Sequence, residues 1–308
     1  VYPSRPFTHC GVDYCGPFLV KISRATRAKS SKAYLALFIC FSTKAVHLEL
    51  VSDLTTNSFI AALKRFIARR GKSSHIYSDC GTNFIGANRK LKAEITTLLK
   101  SYEHNDEVSH YSSENGIEWH FNPVNSPHMG GIWESNIKCV KQHLKKIVSN
   151  VTLTFEELYT VFTQIEACLN SRPISPMSSD PSDLTALTPG HFIAGGPLTA
   201  IPEPDYSSTK MNCLSRWQLT QRIVQHFWNR WQKEYILQQQ QRSKWKQAKE
   251  SLIIGDLVLI SDDNLPPTKW KLGRVISVHP GHDGKVRVVA LKTAEGMTSR
   301  AVTKLCKL

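Results

Sequence analysis

Two periodicities alternate along the first half of the chain. Apolar runs over Tyr34 to Phe41 and Val46 to Val51, separated by Ser42-Thr43-Lys44, predict a β-hairpin. His9 to Tyr14, His75 to Ser78 and Ile117 to Phe121 predict three further short strands. Between them Phe59, Ile60, Leu63, Phe66 and Ile67 recur at helical spacing. This predicts a helix from Asn57 to Arg70, capped by Thr56, closed by Gly71, with Arg69 and Arg70 at the negative end of its dipole. More helices are expected over residues 87–100, 132–149 and 155–169, the last opened by a capping box, Thr154-Phe155-Glu156-Glu157.

The order is three strands, helix, strand, helix, strand, then helices. It predicts an α/β fold, a mixed sheet with helices packed on it. The pattern then changes. Residues 173–212 are rich in Pro and Ser and read as an acidic linker with local turns. A helix is expected over 215–246, with Trp217, Val224, Phe227, Trp228 and Trp231 as its packing residues. The remainder predicts short strands at Leu257–Ile260, Gly273–His279, Val286–Leu291 and Arg300–Leu305, with a turn at Gly281-His282-Asp283-Gly284. Such a set closes into a small barrel. The expected division is thus 1–172, 173–212 and 213–308.

Charge sharpens this picture. The formal net charge of +14 is unevenly spread: +9 over residues 1–150, −5 over 151–211 and +10 over 212–308. Two basic blocks flank an acidic one, a distribution suited to a polyanionic partner such as nucleic acid. The apolar run over 34–51 is interrupted by Lys44, His47 and Glu49, so it is not a membrane span, and no membrane partner is expected. No signal peptide is apparent, and a start at Val1 suggests a processed product or a fragment. The eight cysteines form no CxxC pair and read as reduced thiols. His9, Cys10 and Cys15 lack the spacing of a zinc site.

Three carboxylates stand where a sheet-based nuclease needs them. Asp13 follows the first strand, Asp79 follows the strand at 75–78, and Glu134 opens a helix after the loop Pro127-His128-Met129-Gly130-Gly131. Phosphodiester transfer needs an activated nucleophile and a stabilised leaving oxygen, and two divalent cations held by carboxylates supply both. After Glu134, Lys138, Lys141 and Lys145 fall on the same side of the expected helix, a row suited to phosphates.

At these residues the chain resembles retroviral and retrotransposon integrases, most closely the Pao/BEL group of long-terminal-repeat elements. The resembling segments are Gly11-Val12-Asp13-Tyr14-Cys15-Gly16-Pro17-Phe18, Ser78-Asp79-Cys80-Gly81-Thr82-Asn83-Phe84, Gly116-Ile117-Glu118-Trp119-His120-Phe121 and Pro127 through Glu134. Asn170-Ser171-Arg172-Pro173, Leu187-Thr188-Pro189-Gly190-His191-Phe192, Phe227-Trp228-Asn229-Arg230-Trp231 and Leu272-Gly273-Arg274-Val275 extend it over essentially the whole chain.

The resemblance implies a ribonuclease-H-like five-stranded mixed sheet with flanking helices, followed by a linker, a long helix and an SH3-like barrel. It implies 3′-end processing and strand transfer of element DNA into target DNA by a polyprotein-derived enzyme acting in the nucleus. Asp13, Asp79 and Glu134 would be both the catalytic and the metal-holding residues, with two Mg²⁺ (or Mn²⁺). Lys138, Lys141 and Thr82 would contact double-stranded DNA, with Lys145 continuing the lysine row, and two DNA ends require a homo-multimer. Two departures stand out: the interval between Asp79 and Glu134 is longer than in retroviral integrases, and no His/Cys zinc-binding segment precedes Asp13. The alternative expectation is a domesticated or inactive integrase that binds DNA as a scaffold. A cut-and-paste transposase is disfavoured by the integrase-like C-terminal half.

Overall fold

The computed structural model describes residues 4–25, 28–78, 116–121, 141–144, 152–210, 213–240, 251–262, 265–282 and 286–308. They form two compact units, Val1–Leu169 and Asn170–Leu308. The expected helix at 87–100, and 132–149 apart from a helical stretch at 141–144, lie outside the described residues.

In the first unit, β1 (His9–Lys21), β2 (Ser30–Cys40), β3 (Val46–Val51), β4 (His75–Ser78) and β5 (Glu118–Phe121) make a sheet of order β3-β2-β1-β4-β5. A two-residue β6 (Leu153–Thr154) pairs with the far end of β1. β1, β2 and β3 are joined antiparallel, while β4 and β5 run parallel to β1, so the sheet is mixed. This is the ribonuclease-H-like strand layout.

β1 is longer than the expected His9–Tyr14, because a bulge between Cys15 and Phe18 lets it bend and resume pairing with β2. Gly16 sits in that bulge at φ +135°, and a Cβ there would lie 3.1 Å from Tyr34 and 3.2 Å from the Ala33 carbonyl. Only glycine fits both constraints.

Helix α1 (Thr56–Arg70) starts one residue earlier than expected. Thr55, not Thr56, is its N-cap and accepts a hydrogen bond from the Ser58 N–H, while Asp53 in turn accepts from the Thr55 N–H and hydroxyl. Gly71 closes it at φ +82°. The capping box of α2 (Phe155–Asn170) forms as read: Thr154 N–H donates to Glu157 at 2.8 Å and Glu157 N–H to the Thr154 hydroxyl at 3.3 Å.

The unexpected feature is a buried ionic network between β3, α1 and α2. Glu49 is fully buried and accepts hydrogen bonds from Arg65, Arg69 (both 2.6 Å) and His47 (3.0 Å). Glu166 accepts from the Leu48 N–H at 2.7 Å and pairs with Arg70 and His47. The apolar pattern of Val46–Val51 concealed this, since a fully buried strand carries His47 and Glu49 inward only because partners wait there.

The second unit begins with the segment expected as a linker. It holds a small hairpin, β7 (Ser175–Pro176) with β8 (Ala186–Leu187), and a short helix α3 (Pro189–Ala194). Helix α4 (Arg216–Gln240) follows. Its Phe227 and Trp228 are wholly buried, with Val224 and Trp231 nearly so, whereas Trp217 is exposed and is not a packing residue. Trp228 donates its indole N–H to the Leu265 carbonyl at 2.9 Å and meets Trp270 edge to face.

β9 (Leu257–Ile260), β10 (Lys271–Pro280), β11 (Val286–Thr293), β12 (Gly296–Ala301) and β13 (Leu305–Lys307) form an antiparallel sheet of order β12-β11-β10-β9-β13. The expected strand Arg300–Leu305 is therefore two, broken by a 3₁₀ turn at Val302–Lys304. β12 and β13 are the two edges of the sheet, so three residues bridge them and the sheet must curl towards a barrel. The Gly281–Gly284 turn falls partly outside the described residues. Gly273 faces the curled interior, where a Cβ would lie 3.1 Å from Ile260 and 3.4 Å from Leu291. Next to it, buried Arg274 donates to the carbonyls of Gly255 (3.0 Å), Asp180 (2.9 Å) and Asp183 (2.5 Å). A single guanidinium thus pins the 178–183 turn to the strands. Among the described residues, no helix is long and apolar enough to cross a membrane.

Two predictions follow from these contacts. Glu49→Gln should lower unfolding free energy by about 3 kcal/mol, the low end for breaking a buried pair because Arg65 and Arg69 keep contact with water. Burial alone would raise the Glu49 pKa, but His47 and Arg65 outweigh it and leave it below its ordinary 4.5; burial would lower that of His47, but Glu166 and Glu49 raise it above 6.5. The Glu49 contribution is full above 4.5 and is lost as pH falls through its folded value. That of His47 is full below 6.5 and fades as pH rises through its folded value. Urea denaturation across pH should give a dome whose acid limb flattens in Glu49→Gln. Separately, Arg274→Lys should free the 178–183 turn as Arg274→Ala does, since a single ammonium nitrogen cannot replace a fork whose two arms reach Gly255 on one side and Asp180 and Asp183 on the other. Limited proteolysis would then cut there in both variants and spare the parent chain.

Candidate functional site

β1 is the strand on which the site is built. Its register with β4 pairs His9 with His75, Cys10 with Ile76, Gly11 with Tyr77 and Val12 with Ser78. Asp13 is the next residue of β1, opposite Leu37 of β2 on its other side. Alternation sends Val12 and Tyr14 into the buried face, and Asp13 faces the opposite way with its side chain 18% exposed. One carboxylate oxygen accepts the Tyr14 N–H at 2.7 Å.

The other oxygen of Asp13 is paired with the ammonium of Lys141, which is itself mostly enclosed at 14% exposure. This contact joins a central strand to a helical segment far along the chain. Lys141, expected to touch DNA, here neutralises the acid expected to hold metal. A carboxylate this enclosed needs a cation beside it, and its oxygens are hard donors of the kind that Mg²⁺ takes.

Of the remaining expected site residues, Asp79, Glu134, Thr82, Lys138 and Lys145 lie outside the described residues. What is described of their surroundings is the end of β4. Ser78, directly before Asp79, is buried and accepts the Trp119 indole N–H at 3.1 Å, while Trp119 meets Phe59 of α1 edge to face. Sequence reasoning assigned no role to Trp119 or Ser78; their signal was the Trp within Gly116–Phe121, an aromatic with a polar handle on a short strand. His9, Cys10 and Cys15 do not converge: the Cys10 thiol is buried against Ser73, and burial pushes its pKa up to about 12.

A double-mutant cycle on Asp13→Asn and Lys141→Met should return a coupling of about 1.5–3 kcal/mol in unfolding free energy, the range of a charged hydrogen bond. Additive losses would mean that the pair contributes nothing.

Residues 215–308 match a model described as a family of unknown function (DUF5641). No curated protein matches. Among solved structures, the simian T-cell lymphotropic virus intasome in complex with the PP2A regulatory subunit B56 gamma aligns with 98% of this chain and 79% of that one, at 13% identity and a TM-score of 0.40. The HTLV-2 integrase catalytic core domain in complex with magnesium aligns over 56% of this chain and 91% of its own, at 18% identity and 0.35. The catalytic core domain of BIV integrase aligns over 61% and 95%, at 11% identity and 0.39.

Proposed function

We propose that the chain is a retrotransposon integrase of the Pao/BEL type, using Asp13, Asp79 and Glu134 to process the 3′ ends of element DNA and join them to target DNA. The observation that carries this reading is the position of Asp13. It stands on the central strand, one residue beyond the Val12–Ser78 pair, and Asp79 is the residue bonded to Ser78. Two acids therefore follow paired positions on adjacent parallel strands. Glu134 lies seven residues before Lys141, whose ammonium reaches Asp13. The strand register supports the acid pattern read from the sequence.

Asp13, Asp79 and Glu134 are the residues that would hold the metal ions. Bound divalent cations supply activation of the attacking oxygen and stabilisation of the leaving one. The chain's own part is orientation. β1 fixes the Asp13 carboxylate through its backbone and the Tyr14 N–H, and Lys141 balances its charge in the free protein. On DNA, Lys141 would exchange Asp13 for a phosphate, with Lys138, Lys145 and Thr82 as further contacts. The basic C-terminal unit adds sequence-independent phosphate binding. Two DNA ends require a homo-multimer, and DNA as substrate places the work in the nucleus.

The test is strand transfer from a labelled duplex bearing the parent element's terminal repeat into supercoiled plasmid, with Mg²⁺ or Mn²⁺. Asp13→Asn and Glu134→Gln should each reduce joined product by on the order of 10²–10³-fold or more, with DNA binding retained. Equal joining by the parent chain and both variants would sink the assignment. DNA binding without joining by any of them, also when an upstream zinc-binding segment is supplied, would favour the scaffold reading.

A further inference from the structure

A second group of ligand-type side chains gathers at the other end of β1, β4 and β5. The parallel pairing of β4 with β5 sets His75 opposite Glu118 and Tyr77 opposite His120, and β1 sets His9 opposite His75. Residues two apart on a strand share a face, so His9, His75, Tyr77, Glu118 and His120 all stand on one side of the sheet. Cys10 and Ile76, on the other side, are wholly buried. Asp13 lies four residues beyond His9 along β1, roughly 13 Å away at the strand rise.

The separations are informative. His75 Nδ1 lies 3.2 Å from Glu118 Oε2, His120 Nε2 lies 3.4 Å from Glu118 Oε1, and the two ring nitrogens are 3.1 Å apart. One ligand atom from each residue falls within 4.8 Å of the other two. A tetrahedral zinc ion with bonds of about 2.0–2.1 Å spaces its ligand atoms about 3.4 Å apart. The three side chains already stand close to that spacing, so an ion could enter with little rearrangement.

The rings are also held in plane. His9 stacks on His75 with centroids 4.4 Å apart and 6° between planes, and Tyr77 stacks on His120 at 4.4 Å and 15°. Phe41 packs against Tyr77 in turn. Neighbours that fix the imidazole planes do what outer-shell partners do in metal sites. Glu118, with a side chain 64% exposed, leaves one side open to water for a fourth ligand.

We propose that His75, Glu118 and His120 form a transition-metal site, with Zn²⁺ as the fitting ion, separate from the carboxylate site at Asp13. Two imidazoles and one carboxylate favour Zn²⁺ over Mg²⁺, which prefers an all-oxygen shell. The ion clamps β4 to β5, whose connection runs through the whole of residues 79–117. It ties together the two strands at either end of that interval, at the edge of the sheet that carries Asp13.

The test is titration of Zn²⁺ alone into the chelator-treated full chain, with excess Mg²⁺ to fill carboxylate-only sites, alongside Co²⁺ absorption spectroscopy. The parent chain and Asp13→Asn should each bind one Zn²⁺, give a tetrahedral Co²⁺ band and gain thermal stability with Zn²⁺. His120→Ala and Glu118→Gln should each bind at least about tenfold more weakly, since even outer-shell losses cost that much, and should lose the stability gain. Glu118 is exposed, so its variant folds and keeps the test sound. No saturable Zn²⁺ uptake by the parent chain would overturn the proposal, as would uptake and a Co²⁺ band unchanged in both ligand variants.

Discussion

Two carboxylates almost out of reach of water govern how the first unit is assembled. Glu49 on β3 and Glu166 on α2 share His47 between them and draw Arg65, Arg69 and Arg70 from one helix, α1. Unpaired, either carboxylate would cost several kcal/mol in the interior, so the strand and both helices must arrive together. The Leu48 N–H on Glu166 ties the same network into the strand backbone. Hydrophobic contacts around Phe38, Phe59 and Phe66 supply bulk driving force, but they are non-directional. The charges, with fixed hydrogen-bond geometry, select one angle of α1 and α2 on the sheet.

That arrangement leaves β1 in the middle, with antiparallel and parallel neighbours on its two sides. A central strand is the most constrained backbone in a sheet, and a carboxylate placed on it is held more precisely than one on a loop. Asp13 uses this rigidity, and Lys141 meets the electrostatic need that follows from enclosing it. The two ends of the same three strands differ in chemistry. One end presents Asp13 with its lysine. The other presents imidazoles stacked on aromatic rings, a softer donor set. A single sheet thus presents two unlike donor sets, separated only by strand length.

The second unit meets its constraint differently. A sheet of five strands cannot bury its two faces by itself, and it leaves two edges. Curling brings β12 and β13 within three residues of each other, while α4 covers the other surface with Ile236 and Tyr235 against Leu259, Cys306 and Trp270. The preceding segment is gathered in by Arg274 and by the Ser171 hydroxyl under Trp270. Its composition of Pro, Ser and acids reads as a linker because those residues serve backbone turns, and turns look alike whether free or pinned.

By itself the sequence determined the kinds of element and much of their order. Apolar periodicity marked β3, α1 and α2, the Thr154–Glu157 box marked where α2 begins, and Gly11-Val12-Asp13-Tyr14 marked an acid worth attention, although Asp13 stands within β1 and not after it. These signals are local, carried by residues within one or two turns of each other. Tertiary structure alone decided the remainder. It made His47 and Glu49 interior residues, extended β1 past its bulge, split the last strand into two sheet edges, and brought Lys141 to Asp13 and His120 to His75. Each of these depends on a partner distant in the chain. Burial and charge are properties of the assembled surroundings, and no window along one strand contains them.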